Sequence, residues 1–265
     1  MYATSYHRAS SVEDAVRLRG TSDESKYLSG GMTLISTMKQ RLASPSDLID
    51  LRHIPGLKGV SVEGRRVTIG AGTPHAEVAT SQAIRAVCPA ICNLAGHIGD
   101  PHVRHMGTIG GSIANNDPAA DYPAGLLGLG ATVVTDRRSI VADDFFTGLF
   151  ETALEEGEIV TAVTFEAPEK AGYAKFNNPA SRFAMTGVFV AKTAGGVRVA
   201  VTGAGSDGVF RHPGFEQALQ SNWSPDALVS IAVDASGMMA DMHADADYRA
   251  NLVKVMAKRA VLAAA

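Results

Sequence analysis

Two stretches carry the residue types that hold an anion without a charged side chain: Ser29-Gly30-Gly31-Met32-Thr33 and Thr108-Ile109-Gly110-Gly111-Ser112. A diphosphate needs several hydrogen-bond donors at close range, and backbone N–H groups supply them where no side chain stands in the way. Two adjacent glycines reach the unusual dihedrals of a turn whose amides converge. The hydroxyls of Thr33, Thr108 and Ser112 add donors. The first pair also runs into Leu34, Ile35, Met38 and Leu42 at helical spacing. It therefore sits on a strand-to-helix turn, and a helix N-terminus favours negative charge. Neither stretch is the G-x-G-x-x-G fingerprint or the phosphate loop G-x-x-x-x-G-K-[ST]. With 27 glycines in the chain, chance pairs in tight turns are common, so the residues alone say anion-binding turns and stop there.

Other groups that could do chemistry cluster near the second pair. Asp117 and Asp121 flank Pro118-Ala119-Ala120. They could serve as acid and base, but the simpler assignment gives one a capping role and the other a bond to a cofactor hydroxyl. His97, His102 and His105 lack a metal-ligand spacing and an acidic third ligand, and read as polar loop residues near a cofactor or a subunit contact. Arg104 could pair with a phosphate or lie on the surface. Cys88 and Cys92 are the only cysteines; their C-x3-C spacing suggests one helix face and two buried thiols. Two thiols cannot hold an iron–sulfur cluster, which takes four. No Ser-His-Asp arrangement can be inferred, because the stretch Gly203-Ala204-Gly205-Ser206 does not have the glycine spacing of a nucleophile elbow.

The elements that must position these residues are legible in outline. Ser11 begins a capped amphipathic helix. A strand at residues 26–28 leads into the first glycine pair, the helix after it is expected to end at Pro45, and a strand follows at 48–51. Residues 60–63 and 67–70 read as a hairpin. Thr73 is expected to cap a helix with Pro74 in its first turn, and residues 83–96 read as helical. A short apolar helix at 124–129 precedes strands at 131–134 and 159–165. Residues 168–172 resemble a linker. Strands at 173–176, 187–192 and 197–202, with helices at 227–231 and 248–262, form a three-stranded antiparallel sheet under a helical layer. The resulting fold class is α+β.

The chain has 265 residues, 46% of them hydrophobic, which is ample for a buried core. With 24 basic and 27 acidic residues the formal net charge is −3. The longest basic clusters are pairs such as Arg65-Arg66 and Arg137-Arg138, so there is no electrostatic case for nucleic acid. The first residues lack the apolar run of a secretory signal, and no stretch of about eighteen apolar residues appears. A soluble cytoplasmic chain is expected.

The sequence resembles the FAD-binding medium subunit of the aerobic carbon monoxide dehydrogenase and xanthine dehydrogenase family of molybdenum hydroxylases. The match is carried by Tyr27-Leu28-Ser29-Gly30-Gly31-Met32-Thr33-Leu34 and by Leu48-Ile49-Asp50-Leu51 with Ile54-Pro55-Gly56-Leu57. It continues from Ile98-Gly99-Asp100-Pro101-His102-Val103-Arg104 through Thr108-Ile109-Gly110-Gly111-Ser112 to Asp117-Pro118-Ala119-Ala120-Asp121. It ends on Tyr173-Ala174-Lys175-Phe176 with Pro179-Ala180-Ser181-Arg182-Phe183-Ala184. Order and spacing cover nearly the whole chain.

The resemblance implies a two-subdomain FAD-binding fold, residues 1–57 and 58–167, with a C-terminal flavoprotein domain at 168–265. FAD would lie between the two subdomains. Its diphosphate would contact Leu28, Ser29, Gly30, Gly31, Met32, Thr33, Leu34 and Ile35 on one side and Thr108, Ile109, Gly110, Gly111 and Ser112 on the other. Asp121 matches an acid at the nucleotide end, Ile98 and Ile159 or Val160 match apolar contacts, and Lys175 matches a lysine near the flavin ring. His75 falls near the cofactor. Relatives usually read Ala-Gly-Gly-His/Gln-Ser at the first motif; here Ser29, Met32 and Thr33 stand at the outer positions, and Thr33 keeps the hydroxyl. No residue of the chain is implied as an acid–base catalyst, and Lys175 and Phe183 would tune or shield the ring.

The family further implies an electron path. Substrate is oxidised at a molybdopterin cofactor on a large subunit, electrons cross two [2Fe–2S] clusters on a small subunit, and FAD on this chain hands them to an external acceptor. The expected assembly is a dimer of heterotrimers. Two competing readings are a stand-alone FAD-dependent oxidase and a non-catalytic subunit with a vestigial nucleotide site.

Overall fold

The computed structural model describes residues 1–22 and 24–264. Three sheets follow one another along the chain, with a separate two-stranded pair between them. The first is parallel: β1 (Ser5–Arg8) and β2 (Lys26–Leu28) flank β3 (Asp47–Asp50), with Tyr6 and Lys26 both opposite Leu48. Parallel neighbours need crossovers, and α1 (Val12–Arg19) and α2 (Leu34–Lys39) lie in them. The Ser11 hydroxyl accepts from the Asp14 amide at 3.1 Å and starts α1, which buries Ala15 beside Ile49. α2 stops well before Pro45. Arg41 takes a left-handed φ of 62°, and the Leu42 N–H turns back to the Thr37 carbonyl at 2.9 Å. This backbone closure ends the helix, so Leu42 is 75% exposed rather than on the apolar face.

The second sheet has the antiparallel order β4-β5-β10-β6-β7. The expected hairpin, β4 (Val60–Glu63) with β5 (Arg66–Gly70), leads into six short helices: α3 (His75–Thr80), α4 (Gln82–Val87), α5 (Pro89–Gly96), α6 (Pro101–Met106), α7 (Ile109–Asn115) and α8 (Tyr122–Leu129). Then come β6 (Thr132–Thr135), β7 (Ser139–Val141), α9 (Ala142–Phe145), the small pair β8 (Phe146–Gly148) and β9 (Glu151–Thr152), and β10 (Val160–Glu166). Two local expectations change. Thr73 does not cap α3; its hydroxyl bonds both the amide and the carbonyl of Gly59 at 2.9 and 3.0 Å, and Pro74 stands at the cap position. The helical stretch at 83–96 is two helices, broken at Cys88 because the residue before Pro89 is driven out of helical dihedrals. Cys88 and Cys92 are both buried free thiols, as expected.

The third sheet is antiparallel: β11 (Lys170–Asn177), β12 (Ala184–Thr193), β13 (Gly196–Thr202) and a two-residue β14 (Phe210–Arg211), one short strand more than expected. β11 takes up most of the stretch that resembled a linker: Lys170 already pairs with Lys192, leaving only 167–169 as connection. α10 (Pro213–Ser221) and α11 (Ala246–Leu262) cover one face of this sheet, with Phe215, Leu219, Val253 and Met256 packed on Val188, Val190 and Val199. α8 covers the other face. Every residue of α8 is buried, and Phe189 lies so close that a Cβ on Gly128 would come within 2.5 Å of its ring. β12 therefore alternates between two cores, Val188 and Val190 on one side and Phe189 and Ala191 on the other. The core containing α8 runs continuously from the second sheet into the third.

Candidate functional site

A cavity of about 780 Å³ opens where the first sheet meets the second, near the upper end of the range for ligand sites. β2 ends at its wall, and the carboxyl ends of parallel strands are where open α/β sheets place ligands. Residues 26–34 form one side. The stretches 71–75, 98–99, 107–121 and 154–160 form the other, and Ser181, Arg182 and Phe183 reach in from the third sheet.

The first glycine pair is shaped by close approach and by dihedral. A Cβ on Gly30 would lie 2.1 Å from the Met106 carbonyl oxygen, and Gly31 has φ +72°. Gly30 therefore allows the turn to press against the α6–α7 connection, and Gly31 supplies the left-handed residue that bends β2 into α2. The consequence is in the amides. Among the described residues, no N–H from 29 to 34 donates to another group of the chain, while the Gly31 and Thr33 carbonyls accept from Ile35 and Thr37. Six consecutive donors are left at the cavity wall, at the start of a helix. Met32 is partly exposed on the same wall.

The second pair is built differently. Gly110 and Gly111 lie inside the first turn of α7, which Thr108 caps through a 3.1 Å bond from the Gly111 amide to its hydroxyl. The Ile109 and Gly110 amides donate to the Thr73 and Ala71 carbonyls at 3.1 and 2.8 Å, and the Ser112 amide to Thr108 at 3.0 Å. All four amides of 109–112 are engaged within the chain. Gly110 allows α7 to lie on Ala71, whose Cβ would sit 2.5 Å from an added Cβ. The two turns touch directly: the hydroxyls of Ser29 and Thr108 are 2.8 Å apart.

Of the other residues singled out in the sequence, Ile98, Asp121, Ile159 and Val160 lie on the cavity wall with Leu28, Ser29, Met32, Thr33, Leu34, Thr108 and Ser112. Ile35 instead packs with Leu28 and Met38 in a small core, Ile109 is wholly buried in the main core, and Lys175 stands behind the wall. The Lys175 ammonium is 2.9 Å from the Asp121 carboxylate and 3.1 Å from the His97 carbonyl, with 2% of its side chain exposed. Tyr173 also donates to Asp121, at 2.5 Å. Burial pushes the Asp121 carboxyl up, against the pull of Lys175 and then Tyr173. The cavity thus meets an acid whose charge is answered from behind by a lysine of the third sheet. Asp117 accepts from the Ala119 amide at 2.9 Å and shapes the turn before α8.

Of the other wall residues, Tyr27, Arg182 and Phe183 were marked through the resemblance alone, and Glu158 was not marked. Tyr27 ties β2 to the far side of the cavity by donating to the Gly157 carbonyl at 3.0 Å. Glu158, held by Arg138 and then by the Glu155 amide and Thr135, has its carboxyl drawn down to about 2. The loop 178–183 is closed on itself: Asn178 accepts from the Ala180 and Ser181 amides, its own amide donates to the Phe183 carbonyl, and Arg182 has φ +62°. This loop holds Phe183 at the cavity with 48% of its surface exposed. A non-glycine residue with positive φ, such as Arg182, leaves no signal in the sequence. Arg104 donates to the Ile98 and Gly99 carbonyls and so braces the loop before α6. The rings of His97 and His105 bond to carbonyls in their own turns, and among the described residues no group of three or more His, Cys, Asp or Glu side chains could hold a metal ion.

Comparison with known proteins finds matches over most of the chain. Residues 2–167 match the model for the FAD binding domain in molybdopterin dehydrogenase. The chain is 34% identical to the nicotine 6-hydroxylase medium subunit of Paenarthrobacter nicotinovorans, covering 99% of this chain and 97% of the relative. It is also 34% identical to the carbon monoxide dehydrogenase medium chain of Hydrogenophaga pseudoflava, covering 98% and 96%. A solved carbon monoxide dehydrogenase from Hydrogenophaga pseudoflava, in a form lacking the Mo-pyranopterin moiety of the molybdenum cofactor, superposes with a TM-score of 0.87 over 99% of this chain and 97% of that one, at 34% identity.

Proposed function

This chain belongs to the family of FAD-binding domains in molybdopterin dehydrogenases, and from that premise we propose that it is the electron-transfer flavoprotein subunit of a molybdenum hydroxylase. It is a medium-subunit oxidoreductase chain by descent. In the proposed role it takes electrons from [2Fe–2S] clusters of a small partner subunit and passes them to an external acceptor. Substrate oxidation belongs to a large molybdopterin subunit, and the assembly is a dimer of such heterotrimers. Two cysteines, both buried, cannot furnish a cluster here, so the iron–sulfur relay must come from a partner.

The observation that carries the reading is the row of six free amides at residues 29–34, on the wall of a cavity large enough for a dinucleotide. These donors suit a diphosphate, and the residues present fit the cofactor. The Thr33 and Ser29 hydroxyls stand beside the amides, Ile98, Ile159 and Val160 offer apolar wall, and Phe183 stands at the cavity. Asp121, backed by Lys175, is placed to accept from a cofactor hydroxyl without leaving a net charge in the wall. When bound, FAD supplies the redox chemistry that no side chain here has. The chain itself binds, orients and shields. In this division of the molecule, residues 1–57, 58–167 and 168–265 each contribute one large sheet and one portion of the wall.

Expression of the full chain with added FAD should give a yellow protein with flavin absorbance. A protein that stays colourless and quenches no flavin fluorescence would remove the assignment. Purification from its native cells should bring down two partners, one carrying molybdenum and one carrying iron. FAD without partners would favour a stand-alone oxidase.

A further inference from the structure

The second turn lines the cavity, yet residues 109–112 keep no amide for a ligand. A side chain beside that gap is His75, which is 4% exposed and lines the same cavity. Its Nδ1 is fully buried without a hydrogen-bond partner. Its Nε2 lies against Gly107, where an added Cβ would come within 2.6 Å of it. Gly107 is itself on the wall and abuts Gly30 of the first turn: a Cβ on Gly30 would lie 2.8 Å from the Gly107 Cα. Nε2 therefore stands near the junction of the two turns, and among the described residues no group bonds it.

The protonation state follows from burial. Desolvation, then the nearby Arg104 charge, pushes the imidazole down to about 4, so near neutral pH the ring carries one proton. A buried N–H left without an acceptor is the rarer and costlier defect, and nothing accepts from Nδ1. The proton therefore belongs on Nε2, on the cavity side.

We propose that His75 is a binding residue of this site, a neutral donor whose Nε2–H bonds an oxygen of the bound dinucleotide in place of the amides the second turn does not offer. The proposal rests on the reading of the cavity as an FAD site. It adds a side-chain donor between two backbone turns, and leaves the Nδ1 lone pair of the neutral ring unbonded.

The test uses the full chain and FAD, with wild type, His75→Leu and His75→Gln compared by flavin fluorescence and by thermal unfolding with and without FAD. Loss of one neutral hydrogen bond should weaken FAD binding about tenfold in His75→Leu, and His75→Gln, which keeps a donor, should stay within about threefold of wild type. The FAD-induced rise in melting temperature should shrink in the Leu protein beyond any change in its FAD-free melting temperature. ADP in place of FAD locates the acceptor: a penalty that persists puts it on the ADP portion, and one confined to FAD puts it on the flavin portion; both support the proposal. A Leu protein that binds FAD as tightly as wild type overturns it. Nitrogen-15 labelling of the wild-type histidines gives a readout independent of any variant's folding. His75 should show protonated Nε2 and a shifted Nε2 signal on FAD addition, and no shift overturns the proposal. Failure of the wild type to bind FAD is a different result and removes the underlying reading instead.

Discussion

Gly30-Gly31 and Gly110-Gly111 are the same dipeptide on the same cavity, 2.8 Å apart through Ser29 and Thr108, yet they do opposite work. The first pair bends through a left-handed residue and leaves its amides unspent. The second continues a helix, spends its amides on Ala71 and Thr108, and lets α7 lie flat on the chain beneath. A glycine pair is thus informative about the backbone only once the destination of each N–H is known. One pair presents donors; the other is the scaffold against which they are presented.

The sharpest way to break this contrast is to fill each pair. Gly110→Val should overpack Ala71 and destabilise the FAD-free protein by about 3 kcal/mol, lowering its melting temperature by roughly 6–12 °C. An unchanged melting temperature would show that the second pair is not scaffold. Gly31→Ala forces a Cβ into a left-handed position beside Ile35 and Leu28, costing about 1–2 kcal/mol. The damage should fall on FAD affinity, roughly tenfold, with FAD-free stability less affected than in Gly110→Val. Equal losses of stability in the two variants would erase the distinction.

The next effect is pH dependence. The His75 imidazole beneath the second turn is held down to about 4 against an ordinary value of 6.5. A depressed folded value means the unfolded chain binds the proton first, so stability is intact above pH 6.5 and declines as pH falls toward 4. At pH 5.5 the decline from this group is about 1 kcal/mol, and chemical denaturation of His75→Gln across this range should show a flatter slope. The smallest change is expected for Ser29→Ala, which removes the hydroxyl bridge between the turns. It should cost under about 1 kcal/mol and reduce FAD affinity only a few-fold, since every backbone donor survives.

The legible parts of the molecule are those set by local chemistry. The 60–70 hairpin, the Ser11 cap and the strand before the first glycine pair follow from alternation and capping alone. So does the apolar run of α8, although its burial on all sides shows only in three dimensions. What escaped was set by distant partners. Thr73 looks like a helix cap, but Gly59 is close enough to claim its hydroxyl. The second glycine pair looks like a donor turn, but Ala71 claims an amide. The ion pair of Lys175 with Asp121 joins residues 54 positions apart and has no local signature. α2 ended early through the backbone of Arg41, a residue with no turn signature.

The helix α8 carries a last consequence. It shares its circumference between two sheets, and β12 lends it Phe189 from a strand that the sequence places beyond a connecting stretch. A gene severed near residue 168 would leave each fragment with half of a greasy groove facing water. The N-terminal piece would keep the glycine turns but lose Lys175, stranding Asp121 as a buried acid without its counter-charge. Such fragments should aggregate rather than yield a miniature flavin binder, so shuffling this chain with its relatives calls for crossover points elsewhere than the apparent seam.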